Sequence, residues 1–273
     1  MTVSSWGLLA REAGKRRSAI VGYHGVGPST AAEDTRNLRV RPERFRAQVE
    51  LLRDAGFEFV TVAELACRAA GGTPPPGMVA LSFDDGMADN HSVLLPLLRE
   101  YGITATVYVA TGMIGAPNPW MGEGARMMTA NELRDLHAAG VELGAHTVSH
   151  PDLSTLPRAA CLDEMVASRR AIEELTGAPV RTFAYPFCRY GPEAVAAASE
   201  AGFEAAVTCE GRGSWRRFEM KRAMLTGKDG LPSFMLKLLD AYQPLFDSPP
   251  GRLLRVSTRA ARRRFGASGR RRG

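Results

Sequence analysis

Two neighbouring carboxylates and two histidines four residues apart are the side chains of this sequence best placed to do chemistry. In LSFDDG, residues 81–86, an apolar run delivers Asp84 and Asp85 onto a turn closed by Gly86. Adjacent aspartates repel each other unless their roles divide, and a metal ion that takes one while the other accepts a proton would divide them. The plainer alternative is an Asp-Gly turn with both carboxylates in solvent. In HTVSH, residues 146–150, His146 and His150 directly follow the apolar VELGA. Imidazoles at that spacing past a strand end can chelate one ion, with a capping or turn role as the alternative. Together the motifs supply two imidazoles and a carboxylate and leave coordination positions for water and substrate. Zinc suits that set, and cobalt, nickel or manganese also accept it.

Such groups work only if the fold brings them to one place. From residue 19 onward, short β-branched runs alternate with helical patterns, the signature of parallel strands joined by helices. Strands are expected at 19–23, 57–61, 79–83, 104–110, 141–145, 181–185 and 204–208, with a weaker one at 220–225. Seven or eight such strands predict an α/β barrel, whose loops past the strand C-termini converge on one cavity. Asp84, Asp85, His146 and His150 all fall just past strand ends. Apolar residues at spacings of three and four, Phe45, Val49 and Leu52 and then Leu94, Leu97 and Leu98, mark the intervening helices. One catalytic domain is expected over residues 19–247, after an N-terminal segment, 1–18, and before a basic tail, 248–273, set off by SPPG. Residues 232–245 are expected to pack as a helix on the barrel, because an interfacial helix would carry more cations on its polar face.

With 273 residues, 45% of them hydrophobic, the chain can bury a full core. Its net charge of +6 could suggest nucleic acid, but residues 252–273 hold nine arginines and no acid, so the rest of the chain is mildly acidic. No nucleic-acid partner is therefore expected. An arginine tail with a single aromatic, Phe265, suits the phosphates of an anionic membrane, or a solvated end. The start MTVSSWGLLAREAGKRRS makes a poor export signal, since its apolar stretch is short and its basic cluster follows it. A cytoplasmic location is expected, with peripheral contact at the inner membrane face through the tail. Cys67, Cys161, Cys188 and Cys209 are far apart without a CxxC pair, which predicts free thiols.

SFDDG, HTVSH and the later FAYPF, residues 183–187, resemble the motifs of the polysaccharide deacetylase family (carbohydrate esterase family 4, the NodB-homology domain) over roughly residues 19–227. The resemblance implies a distorted (β/α)7–8 barrel in which Asp84 is general base and Asp85, His146 and His150 ligate a divalent metal. The implied reaction removes an N-acetyl group from a sugar, whether in a glycan, a glycolipid or a nucleotide-sugar intermediate. Asp84 deprotonates a water that the metal activates, and the Phe187 backbone N–H shares the developing oxyanion.

Two positions depart from the family pattern. The third motif commonly opens with an arginine that holds the base, whereas Ala184 opens AYPF here; Arg222 is the candidate replacement and Arg189 the second. The family's C-terminal motif ending in the histidine that serves as acid is missing after Arg222. GYHGVG instead puts Tyr23 and His24 past the first strand, similar to the subgroup of poly-N-acetylglucosamine deacetylases, where His24 would protonate the leaving amine. An imidazole with an ordinary pKa of about 6.5 exists in both forms near neutrality. Asp89 is expected to cap the next helix, and Trp120, Tyr185 and Trp215 to stack on sugar or fill the core. Cys188, where many relatives have glycine, is expected to narrow the pocket. A deformylase or other amidase, and a catalytically silent sugar-binding protein, are the competing readings.

Overall fold

The computed structural model describes residues 3–239 apart from 29, 31, 71 and 210–214, so the arginine tail lies outside the described residues. A first helix, α1 (Val3–Gly14), leads into β1 (Ala19–Tyr23) and a short parallel pair, β2 (Gly25–Val26) and β3 (Arg39–Val40). Helix α2 (Pro42–Asp54), β4 (Glu58–Val60), α3 (Val62–Arg68) and β5 (Met78–Phe83) follow. A single π-helical turn at Asn90–Leu94 runs into α4 (Leu95–Tyr101), then β6 (Thr106–Val109), α5 (Ala130–Ala138) and β7 (Glu142–Ala145). The chain continues through α6 (Arg158–Thr176), β8 (Thr182–Ala184), α7 (Pro192–Glu200), β9 (Ala205–Thr208), β10 (Met220–Lys221), β11 (Ala223–Met224) and α8 (Leu231–Leu238).

Every strand pairing is parallel, in the order β10-β9-β8-β7-β6-β5-β1-β11, with β4 beside the first half of β5. The two outer strands, β10 and β11, are separated in the chain by Arg222 alone. One extended segment therefore pairs with β9 through one half and β1 through the other, and the sheet closes on itself. The weak strand expected at 220–225 is split because it serves both neighbours. Closure also removes the unpaired edges that an open parallel sheet would expose.

The alternation of strand side chains assigns each residue a side of the barrel wall. Along β5, Val79, Leu81 and Phe83 join the large core under the helices, whereas Met78 and Ala80 face a smaller inner cluster with Ile20, Tyr108, Ala184, Ala205 and Val207. All six β5 side chains are buried, and each large apolar one stabilises the fold by about 1.5–3 kcal/mol. Gly144 on β7 makes room for this filling: a Cβ there would sit 2.5 Å from the Tyr108 ring.

Helix ends follow their local signals. Thr129 and Glu132 form a reciprocal capping box at the start of α5, and left-handed glycines, Gly102 and Gly177, terminate α4 and α6. Helix α1 buries Ala10 and Ala13 in the main core, so residues before 19 belong to the barrel's packing. Helix α8 buries Phe234, Met235 and Leu238, the core packing expected for this stretch, though 240–245 lie outside the described residues. No helix among the described residues is long and apolar enough to cross a membrane.

Candidate active site

The two-residue period that fills the barrel interior also aims the site. On β5 the inward positions 78, 80 and 82 are followed by Asp84, and on β7 the inward positions 142 and 144 are followed by His146. Both side chains emerge at the C-terminal mouth. Asp85 sits one residue further on at φ 74°, which turns it back toward the same point. His150 arrives on the loop after β7, also at positive φ.

Asp85, His146 and His150 are buried, and their ligand atoms lie within 4.8 Å of one another. Nδ1 of His146 is 2.7 Å from the Ala184 carbonyl oxygen, which can only accept, so that nitrogen carries the proton and Nε2 presents its lone pair. The two Nε2 atoms are 3.2 Å apart and lie 3.5 and 3.4 Å from Oδ1 of Asp85. Bonds of about 2.0–2.2 Å in a tetrahedral array put neighbouring donors about 3.3–3.6 Å apart. Three converging lone-pair atoms at that spacing fit a divalent cation. The donor set, two imidazoles and one carboxylate, suits zinc and the later first-row metals. Burial opposes the charge of Asp85, but the two imidazoles outweigh burial and hold its carboxyl far below the usual range.

Asp84 faces a different partner. Arg222 donates from Nη1 to Oδ1 at 2.6 Å and from Nη2 to Oδ2 at 2.8 Å, a two-pronged pair between a residue 1% exposed and one 4% exposed. Burial by itself would raise the Asp84 carboxyl, but the Arg222 guanidinium overrides it and keeps the group below its ordinary value. Arg222 also reaches Ser82 and lies over the Tyr108 ring. A buried arginine at the barrel seam thus faces Asp84. Arg189, the second candidate, is at the surface, paired with Asp152 at 2.9 Å.

Strain concentrates here. Of six non-glycine residues with positive φ among the described residues, five are Asp85, Thr147, His150, Phe187 and Cys188, each costing about 1–3 kcal/mol relative to ordinary backbone. Their loops are tied down from outside. Glu164 on α6 accepts hydrogen bonds from the Val148 and Ser149 N–H groups and from the Ser149 hydroxyl. Thr147 Oγ1 accepts from the His150 N–H at 3.0 Å, and Thr111 and Gly112 donate to the Thr147 and Val148 carbonyls. Sequence inspection missed Glu164, which carries no local signal and reaches the loop only because α6 folds back over it.

A cavity of about 300 Å³ opens above these groups, lined by His24, Arg36, Asp84, Asp85, Trp120, His146, His150, Phe187, Cys188, Cys209 and Met224. It gathers all seven expected site residues except Arg222, which stands behind Asp84. His24 reaches the cavity past β1, with a buried Nδ1 that has no protein partner. Trp120 and Phe187 flank His150 with ring centroids 4.7 and 4.5 Å away. Tyr185 is instead a core residue against Phe183 and Tyr190, and Trp215 lines other cavities.

Two expectations need correction. Cys188 and Cys209 are not free thiols but a disulfide, with Cα atoms 5.5 Å apart; they follow the neighbouring strands β8 and β9, a proximity that spacing along the chain conceals. Cys67 and Cys161 are free. Asp89 makes no capping bond, because it turns inward to an ion pair with Arg39.

The polysaccharide deacetylase family profile matches residues 71–206. The chain belongs to that family. The matched stretch holds Asp84, Asp85, His146, His150 and Phe187 but neither His24 nor Arg222. Among curated relatives, the polysaccharide deacetylase-type protein YxkH of Bacillus subtilis is 26% identical over 192 residues, covering 70% of this chain and 64% of its own. A poly-beta-1,6-N-acetyl-D-glucosamine N-deacetylase of Staphylococcus aureus is 23% identical over 167 residues, 58% of this chain and 57% of its own. This chain thus spans less than two thirds of either relative. Among solved structures, the deacetylase PplD of Streptococcus pyogenes, in complex with acetate, superposes at TM-score 0.71 with 24% identity over 81% of this chain and 98% of that one. IcaB from Ammonifex degensii superposes at 0.70 with 22% identity over 81% and 97%. Both share the barrel.

Proposed function

We propose that the chain is a divalent-metal-dependent hydrolase that removes N-acetyl groups from an N-acetylated sugar. The observation that carries this reading is the placement of a buried Asp85–His146–His150 cluster beside a carboxylate, Asp84, held ionised by Arg222 at the mouth of one cavity. Family membership and the named substrate of the Staphylococcus aureus relative support an N-acetylhexosamine. When bound by the cluster, a divalent cation supplies Lewis acidity to an amide carbonyl and to water.

The protein groups divide the remaining work. Asp84 accepts the proton of the water whose oxygen bonds to the carbonyl carbon. The Phe187 N–H, taken by no protein acceptor among the described residues, donates to the oxygen that gains the carbonyl electron pair. His24 delivers a proton to the nitrogen as the C–N bond breaks, and acetate and a free amine leave. Trp120 and Phe187 offer aromatic surface to the sugar ring.

The test is acetate release from glycan, lipid-linked and nucleotide-linked N-acetylhexosamines, with and without added zinc, cobalt, nickel or manganese, by wild type and His24→Ala. Metal-dependent release that drops on the order of 10²-fold or more in His24→Ala is expected; unchanged turnover in the variant would refute the acid. Formyl donors run in parallel decide between acetyl and formyl substrates. No release from any donor would leave a sugar-binding protein. The arginine-rich residues 252–273 are proposed to bring the barrel to an anionic membrane, and flotation with anionic liposomes unaltered by their deletion would remove that role.

A further inference from the structure

The Cys188–Cys209 disulfide forms part of the wall of the catalytic cavity. Cys188 directly follows Phe187, and the two residues are consecutive left-handed positions at φ 55° and 56°. Side chains other than glycine resist that backbone, so something must hold the turn. Its hydrogen bonds are local, from Cys188 N–H to the Tyr185 carbonyl and from Arg189 N–H to the Pro186 carbonyl. The Phe187 ring is 51% exposed, and the Arg189–Asp152 pair is at the surface. The covalent tie reaches further, to the residue after Thr208 at the C-terminal end of β9, and so anchors the turn to the barrel wall.

We propose that the Cys188–Cys209 bond is a positioning clamp for the Phe187 N–H, and that hydrolysis runs at full rate only in the oxidised protein. The catalytic half of this inference rests on the deacetylase reading; the hold on the loop does not. A reducing compartment opens the clamp and slows the enzyme, which makes the cavity wall a redox-responsive element. Opening by a phosphine is a balanced step: the S–S bond breaks, water gives two protons to the two thiolates and its oxygen to phosphorus, and the phosphine leaves as its oxide. Oxidised glutathione reverses the change by exchange, taking up the two electrons and leaving as two thiols.

The experiment uses the full chain, oxidised, then treated with a phosphine, beside Cys188→Ala, Cys209→Ala and Cys67→Ala. Denatured oxidised protein is expected to titrate two thiols, from Cys67 and Cys161, and to yield a linked 188–209 peptide. Reduction is expected to speed amide hydrogen exchange in residues 182–190. It should also lower kcat by roughly tenfold to a hundredfold while KM stays within about twofold and metal content is unchanged. Both clamp variants should match the reduced level and ignore the phosphine, and Cys67→Ala should behave as wild type. Four titratable thiols in the oxidised protein would overturn the inference, as would exchange and kcat that do not respond to reduction. Two thiols and redox-sensitive exchange without amide hydrolysis in either state would retain the clamp and overturn the deacetylase reading instead.

Discussion

Replacing Arg222 with methionine separates the charge of the base from the packing around it. Asp84 is 4% exposed and takes two hydrogen bonds from a guanidinium that is itself buried. Removing one member of such a pair leaves an uncompensated buried carboxylate, at a cost of about 3–5 kcal/mol, a large share of the roughly 5–15 kcal/mol that holds a domain folded. The sign of the pH dependence follows from the wild-type shift. Asp84 has a depressed folded pKa, so its contribution is fully present above the unfolded value near 3.9 and is lost as pH falls through the folded value. Without Arg222, burial dominates and the folded pKa rises above the unfolded one. The deficit of Arg222→Met is therefore greatest at neutral pH and shrinks on acidification as Asp84 protonates. Urea unfolding at pH 7 and pH 5 of wild type, Arg222→Met, Asp84→Asn and the double variant measures this, and the double variant should recover about half or more of the loss. In activity, kcat/KM of Arg222→Met should drop about 10²-fold or more, with its acid limb moved to higher pH. A pH-independent deficit, equal in the single and double variants, would refute the argument and leave Arg222 as a packing residue at the barrel seam.

Chelation should lower the Tm of wild type, because it leaves the Asp85, His146 and His150 lone pairs facing one another, and added zinc or cobalt should restore it; His150→Ala should show neither response, and a wild-type Tm indifferent to chelator would sink the metal site. Gly112→Ala places a Cβ 2.7 Å from the Val148 carbonyl oxygen, so the loop carrying His150 must shift, with about 1–3 kcal/mol lost and weaker metal binding by calorimetry; unaltered binding would separate the two loops. Glu132, held down to about 2 chiefly by its hydrogen bond from Arg126, contributes stability above its ordinary value near 4.3 that is lost as pH falls toward 2. Glu132→Gln can keep the capping box and should flatten that acid-side loss by up to about 1 kcal/mol, read from acid unfolding curves; an unchanged slope would place the loss elsewhere.

What the chain disclosed unaided was whatever depends on local rules. The apolar runs that end at Asp84 and His146 are visible in the letters, and they place both residues just past strand ends. Capping at Thr129 and the helix-ending glycines obey rules of the same short reach, since each involves residues within one turn. Arg222 could be nominated for Asp84 only because the usual position was empty; its two-pronged grip depends on barrel closure, which sets residues 138 apart in sequence face to face. Glu164 under the histidine loop and Cys209 opposite Cys188 carried no local mark at all. Their roles come from which helix folds over which loop and which strands lie side by side. Asp89 shows the converse: a good capping residue by type, it was drawn inward by Arg39 on β3, 50 positions earlier. Side-chain direction is set by backbone geometry a few residues long, whereas partnership between loops is set by strand order, and only the closed barrel decides that.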